Sequence, residues 1–136
     1  MDTLKTFIVE DSVLILENLV AALEELSPVA VVGSADDESG AVSWLNSHPS
    51  GCDLLIIDVF LKSGSGLGVL RAACEMAGRV NAVVLTNYAT PDMRRKCLGL
   101  GASKVFDKSN EIDALVAYCA QLADDESARR ERQPLR

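Results

Sequence analysis

Five residues combine types and positions suited to moving a phosphoryl group: Glu10, Asp11, Asp58, Thr86 and Lys108. Each stands just after a short apolar run. Glu10-Asp11 follows Thr6-Phe7-Ile8-Val9, Asp58 follows Leu54-Leu55-Ile56-Ile57, Thr86 follows Val80 to Leu85, and Lys108 follows Lys104-Val105-Phe106 and Asp107. Three carboxylates gathered on one rim repel one another, and a hard divalent cation relieves the conflict. Mg²⁺ suits such a site, because it takes one or two carboxylates and keeps several waters. Asp58, with its backbone held in a strand, is placed to act as metal ligand and as nucleophile. Lys108 can pair with Asp58 when that carboxylate is empty and with a phosphoryl oxygen when it is loaded, while Thr86 can donate to another such oxygen. Phosphoryl transfer asks mainly for positioning and charge neutralisation, and this set supplies both. Taken singly, Asp58 reads as a turn or capping residue, Lys108 as a solvated lysine and Thr86 as a β-former closing its strand. The chemical reading rests on their common place at strand ends.

The elements that must position them follow from the apolar pattern. Five apolar runs recur one strand-plus-helix length apart: Thr6 to Val9, Val29 to Gly33, Leu54 to Ile57, Val80 to Leu85 and Lys104 to Phe106. Several are continuous rather than alternating, which suits strands covered on both faces of a parallel sheet. Helical patterns lie between them. Ser12 to Leu26 carries a stripe of Val13, Leu16, Leu19, Val20, Leu23 and Leu26, stopped by Ser27-Pro28. Asp37 to Ser47, Gly66 to Ala77, Pro91 to Leu100 and Asn110 to Ala123 follow; Asp and Glu open the first of these and Pro91 opens the third. Strand then helix, five times, predicts an α/β doubly wound five-stranded parallel sheet. In such a sheet function collects at the carboxyl ends of the strands. Residues 1–123 are expected to form one domain. Residues 124–136 carry charge without an apolar stripe and read as a tail or a helix extension.

Composition narrows the classes. The chain has 136 residues, with 20 acidic against 13 basic, which argues against direct DNA binding as the main role. No run is long enough to span a membrane, and Met1 to Asp11 turns acidic too early for a signal peptide, so a cytoplasmic protein is expected. Cys52, Cys74, Cys97 and Cys119 are spaced by 22, 23 and 22 residues, without the close pairs of a metal cage. They are expected as free thiols packed as small hydrophobes. His48 beside Pro49 reads as a loop residue and Trp44 as packing. Gly64-Ser65-Gly66 lacks a phosphate-loop ending and reads as loop plus helix N-cap. Arg94, Arg95, Lys96 and Lys104 make a local basic cluster, either a solvated face or a docking surface for an acidic partner.

Taken together and in order, these pieces resemble the receiver domain of two-component response regulators. The matching stretches are Phe7-Ile8-Val9-Glu10-Asp11, Leu55-Ile56-Ile57-Asp58, Gly64-Ser65-Gly66-Leu67, Val83-Val84-Leu85-Thr86, and Gly101-Ala102 with Phe106-Asp107-Lys108. The resemblance spans residue 4 to about residue 123, nearly the whole chain. It implies a flavodoxin-like (βα)5 fold with strand order 2-1-3-4-5. It further implies a stand-alone receiver in which Asp58 accepts a phosphoryl group from a histidine kinase or phosphotransfer protein. Glu10, Asp11, Asp58 and the backbone carbonyl of Phe60 would hold Mg²⁺, while Thr86 and Lys108 match the switch hydroxyl and the phosphate-binding lysine. Output would run to a downstream protein through the face of helix four, strand five and helix five, or onward by phosphorelay. Such a protein is a self-catalysing phosphoacceptor that loses its own phosphoryl group, not an enzyme for external substrates. An aspartyl phosphatase would carry a second Asp two residues after the nucleophile, where Phe60 stands. The remaining alternative is a degenerate receiver that binds partners without phosphorylation.

Three departures from the family pattern keep that alternative open. The aromatic expected three residues before the lysine is Val105, with Phe106 beside it, which removes the ring on which the usual threonine–aromatic coupling rests. Ser109 stands where proline commonly follows the lysine. A cis bond to a non-proline residue costs about 3 kcal/mol, so the loop either bears strain or takes a different path. Asn87 replaces a small residue and is expected to crowd the site. Phe60 and Tyr88, two residues beyond Asp58 and Thr86, flank the expected path of attacking water and imply slow loss of the phosphoryl group.

Overall fold

The computed structural model describes residues 3–76 and 80–132. Five strands form one parallel sheet: β1 (Leu4–Val9), β2 (Val29–Ala35), β3 (Leu54–Ile57), β4 (Asn81–Thr86) and β5 (Lys104–Asp107), in the order β2-β1-β3-β4-β5. Five helices connect and cover them: α1 (Val13–Leu26), α2 (Glu38–Ser47), α3 (Gly66–Glu75), α4 (Pro91–Gly99) and α5 (Ile112–Arg132). The doubly wound architecture and its strand order are as the sequence implies. Ala77, the expected end of α3, lies outside the described residues, as do residues 133–136 of the charged C-terminal stretch. Residues 124–132 continue α5.

The caps explain where the helices begin. Ser12 accepts the Ile15 N–H at 3.3 Å, Asp37 that of Gly40 at 2.8 Å, Ser65 that of Leu67 at 3.1 Å and Thr90 that of Met93 at 3.1 Å. Each satisfies a donor the first helical turn cannot. Ser65 is thus the N-cap its motif implied. Pro91 takes the first position of α4, where its missing N–H costs nothing.

The sheet separates two apolar layers. Phe7, Val9, Leu55, Ile57, Val84 and Val105 pack against α2, α3 and α4, while Leu4, Ile8, Leu54, Ile56, Leu85 and Phe106 pack against α1 and α5. Alternation along each strand makes this division. β3 is buried at all four positions because it lies centrally and is covered on both faces. On the edge, β2 mixes buried, half-buried and exposed residues. Trp44 is half-buried, stacked on Phe7 at 4.1 Å, and His48 caps α2 with its ring 4.4 Å from Trp44.

Two expectations need correction. The α1 stripe is buried only in its middle, at Leu19 and Leu23, whereas Val13 is 70% and Leu26 61% exposed. Val13 and Leu26 are the first and last residues of the helix, so the apolar stripe is covered along its middle and open at its two ends. Among the thiols, Cys52, Cys97 and Cys119 are buried, but Cys74 is exposed. Loss of hydration pushes Cys52 up to about 11 and Cys119 up to about 12. A thiol reagent at about pH 8 should therefore titrate Cys74 rapidly in the native protein and the other three only after unfolding. More than one fast thiol would contradict this packing.

Candidate functional site

Strand register brings the candidate residues to one edge. Val9 pairs with Ile57, so the next residues, Glu10 and Asp58, leave the sheet side by side. Thr86 pairs with Asp107, so Lys108 emerges one step beyond Thr86. The ladder holds each backbone. Glu10 N–H donates to Ala35 at 3.0 Å, Asp58 N–H to Val9 at 2.9 Å and Lys108 N–H to Thr86 at 2.9 Å. Side chains attached to so fixed a backbone need little further ordering.

Lys108 is the centre of the arrangement. Its Nζ lies 2.6 Å from Glu10 Oε1 and 2.8 Å from Asp58 Oδ2. All three side chains are about nine-tenths buried or more, with exposures of 9% for Lys108, 3% for Glu10 and 10% for Asp58. Burial alone would lower the lysine's affinity for its proton, but hydrogen bonds and charge from Asp58 and Glu10 outweigh it and hold the ammonium above its ordinary range. Asp11 completes the group: one carboxylate oxygen from each of Glu10, Asp11 and Asp58 lies within 4.8 Å of the others. Glu10 is further anchored by the Ser12 N–H at 3.0 Å, so the N-cap of α1 also orients a candidate ligand.

Glu10, Asp11, Asp58, Phe60, Asn87, Tyr88 and Lys108 line one cavity of about 200 Å³. Phe60 and Tyr88 meet edge-on across it, with ring centroids 4.7 Å apart. Thr86 is fully buried behind this rim, and its Oγ accepts the Tyr88 N–H at 3.2 Å. The Phe60 N–H points to Asp58 Oδ1 at 3.4 Å. Gly66 permits this packing: a Cβ there would come within 1.9 Å of the Asp58 carbonyl oxygen. The β3–α3 loop can therefore close under Asp58 only with glycine at that position.

Residues 6–120 match the sequence profile of the response regulator receiver domain. The chain belongs to the response-regulator receiver family. Over 90 residues it is 30% identical to the transcriptional regulatory protein CitB of Klebsiella pneumoniae, covering 65% of this chain and 38% of that protein. The receiver thus spans well under half of this curated relative. Its fold resembles that of a CheX–CheY–BeF3–Mg complex from Borrelia burgdorferi, with a TM-score of 0.79, 18% identity, and 88% of each chain covered. It also resembles a Burkholderia pseudomallei response regulator with a phosphorylated aspartic acid, a calcium ion and citrate. There the TM-score is 0.74 and the identity 20%, covering 99% of this chain and 78% of that one. Receivers of this family are phosphoacceptors that bind Mg²⁺ at an acidic pocket and interact with histidine kinases and phosphotransfer proteins. Among the described residues of this receiver, no helix is long and apolar enough to cross a membrane.

The receiver's departures from its family have local explanations. Val105 faces α4 and Phe106 faces α5, where it packs 5.8 Å from Tyr118. One step along a strand reverses the face, so Phe106 cannot substitute for an aromatic at Val105. Ser109 donates its N–H to Asp107 Oδ1 at 2.7 Å. This Asx-type turn uses a donor that proline lacks, and the chain turns with no cis peptide among the described residues. Asn87 stands exposed at the cavity mouth and accepts the Ser109 hydroxyl at 3.4 Å. Sequence reasoning passed over Glu111. Its carboxylate binds Arg94 at 2.8 Å and the Asp107 N–H at 2.8 Å, and the only sequence hint was its place just before the apolar stripe of α5.

Lys108→Met leaves two buried carboxylates facing each other and should cost about 3 kcal/mol in the metal-free protein at neutral pH. Because folding raises the affinity of Lys108 for its proton, the stabilisation is complete below the unfolded lysine value of about 10.4 and lost as pH rises through the folded value. The stability gap between wild type and Lys108→Met, measured by urea unfolding, should hold steady to about pH 10 and narrow above it. A gap that widens above that pH would contradict the assigned ion pair.

Proposed function

We propose that this receiver is a phosphorylation switch whose acceptor is Asp58. The observation that carries the reading is the seating of one buried ammonium, Lys108, against both Asp58 and Glu10, with Asp11 completing a carboxylate group. Three carboxylates against one lysine leave net negative charge, which fits a divalent cation. Glu10, Asp11, Asp58 and the Phe60 carbonyl would hold Mg²⁺, which when bound neutralises charge on the transferring group. Asp58 Oδ attacks the phosphorus of a phosphohistidine on a kinase or phosphotransfer protein. The P–N bond breaks with its electron pair going to the ring nitrogen, an acyl-phosphate P–O bond forms, and the ring, protonated on its other nitrogen before transfer, departs as neutral imidazole. Lys108 exchanges its bond to Asp58 for one to a phosphoryl oxygen, and Thr86 donates to another. Hydrolysis later returns Asp58 and inorganic phosphate. The receiver is read as a self-catalysing acceptor rather than an enzyme for external substrates. Output passes by protein binding through the face of α4, β5 and α5, or by onward transfer, without direct contact to DNA.

Incubation with acetyl phosphate and Mg²⁺, followed by intact mass, should show one phosphoryl adduct. Asp58→Asn should abolish it, and Asp11→Asn should reduce it at least about tenfold by weakening the metal site. An adduct that persists in Asp58→Asn, or none in wild type, would overturn the assignment and favour partner binding without phosphorylation.

The edge-on Phe60–Tyr88 pair supports restricted entry of the attacking water. Phe60→Asn with Tyr88→Ala should speed loss of the phosphoryl group several-fold, followed by the decay of the adduct mass. Fast decay in wild type that the double substitution leaves unchanged would refute the shielding role.

A further inference from the structure

The basic residues around α4 do not form a single solvated surface. Arg95 pairs with Asp92 on its own helix, and Lys96 and Lys104 are exposed. Arg94 turns inward and joins three other segments. Its Nε donates to the Ala89 carbonyl at 3.0 Å, its Nη1 to the Val105 carbonyl at 2.8 Å and its Nη2 to Glu111 Oε1 at 2.8 Å. The same Glu111 oxygen accepts the Asp107 N–H at 2.8 Å. The hydrogen bond from Arg94, then that from Asp107, hold the Glu111 carboxyl below its ordinary range. A planar guanidinium carries its donors on three nitrogens in fixed directions, and here each nitrogen meets a different acceptor.

The placement of these bonds connects them to the site. Ala89 lies three residues past Thr86 in the loop between β4 and α4, and Asp107 adjoins Lys108 in the loop between β5 and α5. Arg94 therefore bonds to the loop that follows Thr86 and, through Glu111, to the loop that carries Lys108. It reaches β5 at Val105, whose small side chain brings no aromatic ring to that face.

We infer that Arg94 and Glu111 form a clamp that holds the β4–α4 and β5–α5 loops in their resting arrangement, with Arg94 acting as a positioning residue that opposes phosphorylation. The inference rests on Asp58 being the phosphoacceptor. In the resting arrangement Lys108 is satisfied by Asp58 and Glu10, and Thr86 Oγ is engaged by the Tyr88 N–H. A phosphoryl group on Asp58 adds acceptor oxygens that reward movement of Thr86 and Lys108. The bonds from Arg94 to Ala89 and Glu111 reward the opposite. Two sets of interactions thus bias one element between two states, and weakening the clamp shifts the population toward the loaded state.

The test compares wild type, Arg94→Met, Arg94→Lys and Glu111→Gln, measuring the rate of adduct formation with acetyl phosphate at saturating Mg²⁺ together with thermal melting. Arg94→Met keeps the aliphatic stem and loses the fork, so its rate should rise about three- to tenfold. Arg94→Lys should match Arg94→Met rather than wild type, because one ammonium nitrogen cannot stand where three guanidinium nitrogens meet their separate acceptors. Glu111→Gln, which keeps an acceptor for Asp107, should fall between them and carries the test should Arg94→Met fail to fold. A merely structural role would lower the melting temperature and leave the rate within about twofold of wild type or below it, and that result overturns the clamp. Wild-type protein that takes no phosphoryl group overturns the proposed function itself. Wild-type protein that is phosphorylated at the same rate as the folded variants overturns the clamp alone.

Discussion

One ammonium shared by two buried carboxylates is the interaction on which the site depends. Glu10 and Asp58 leave adjacent central strands at the same level, and without Lys108 they would face each other with little water to screen them. Lys108 reaches them from the far side of β4, because β5 ends one residue before it. The last backbone rungs of the sheet are thus part of the site. Hydrogen bonds from Glu10 to Ala35, from Asp58 to Val9 and from Lys108 to Thr86 fix where each charge begins. The arrangement is balanced enough to be stable, yet it leaves net negative charge and an open cavity beside it.

Alternation along the strands explains why a small sequence difference has a large consequence. Val105 and Phe106 are neighbours in the chain but belong to opposite layers of the core. An aromatic ring displaced by one position packs under α5 and has no route to the face of α4. Beside the apolar packing of Val105, a guanidinium bonded to the Val105 carbonyl joins α4 to β5. Backbone carbonyls on an edge strand remain available whatever side chain they carry, so Arg94 can use a position that has lost its ring.

The elements were legible where local physics decides them. Continuous apolar runs marked the buried strands, and Ser12, Asp37, Ser65 and Pro91 marked helix starts, the first three through oxygens that cap the first turn. Reading failed where burial depends on a neighbour's length or direction. Val13 and Leu26 share the apolar periodicity of Leu19 and Leu23, but they stand at the two ends of the helix and are exposed. Cys74 follows the spacing of Cys97, but only the latter faces inward. Arg94 was indistinguishable from Arg95 and Lys96, because nothing in a run of basic residues says which one will find three acceptors from other elements.

Sequence alone determined the residue types at the strand ends, the βα alternation and the family. These are properties of short segments: an apolar run buries itself, a capping residue starts a helix, and an acidic residue after such a run emerges at the sheet's edge. Tertiary structure decided what those residues meet. Register placed Glu10 beside Asp58, strand order carried Lys108 to both, and helix packing turned Arg94 toward Ala89, Val105 and Glu111. Hydrogen bonds and ion pairs act over a few ångströms, and separations such as the 11 residues from Arg94 to Val105 or the 50 from Asp58 to Lys108 become such distances only when the sheet is assembled.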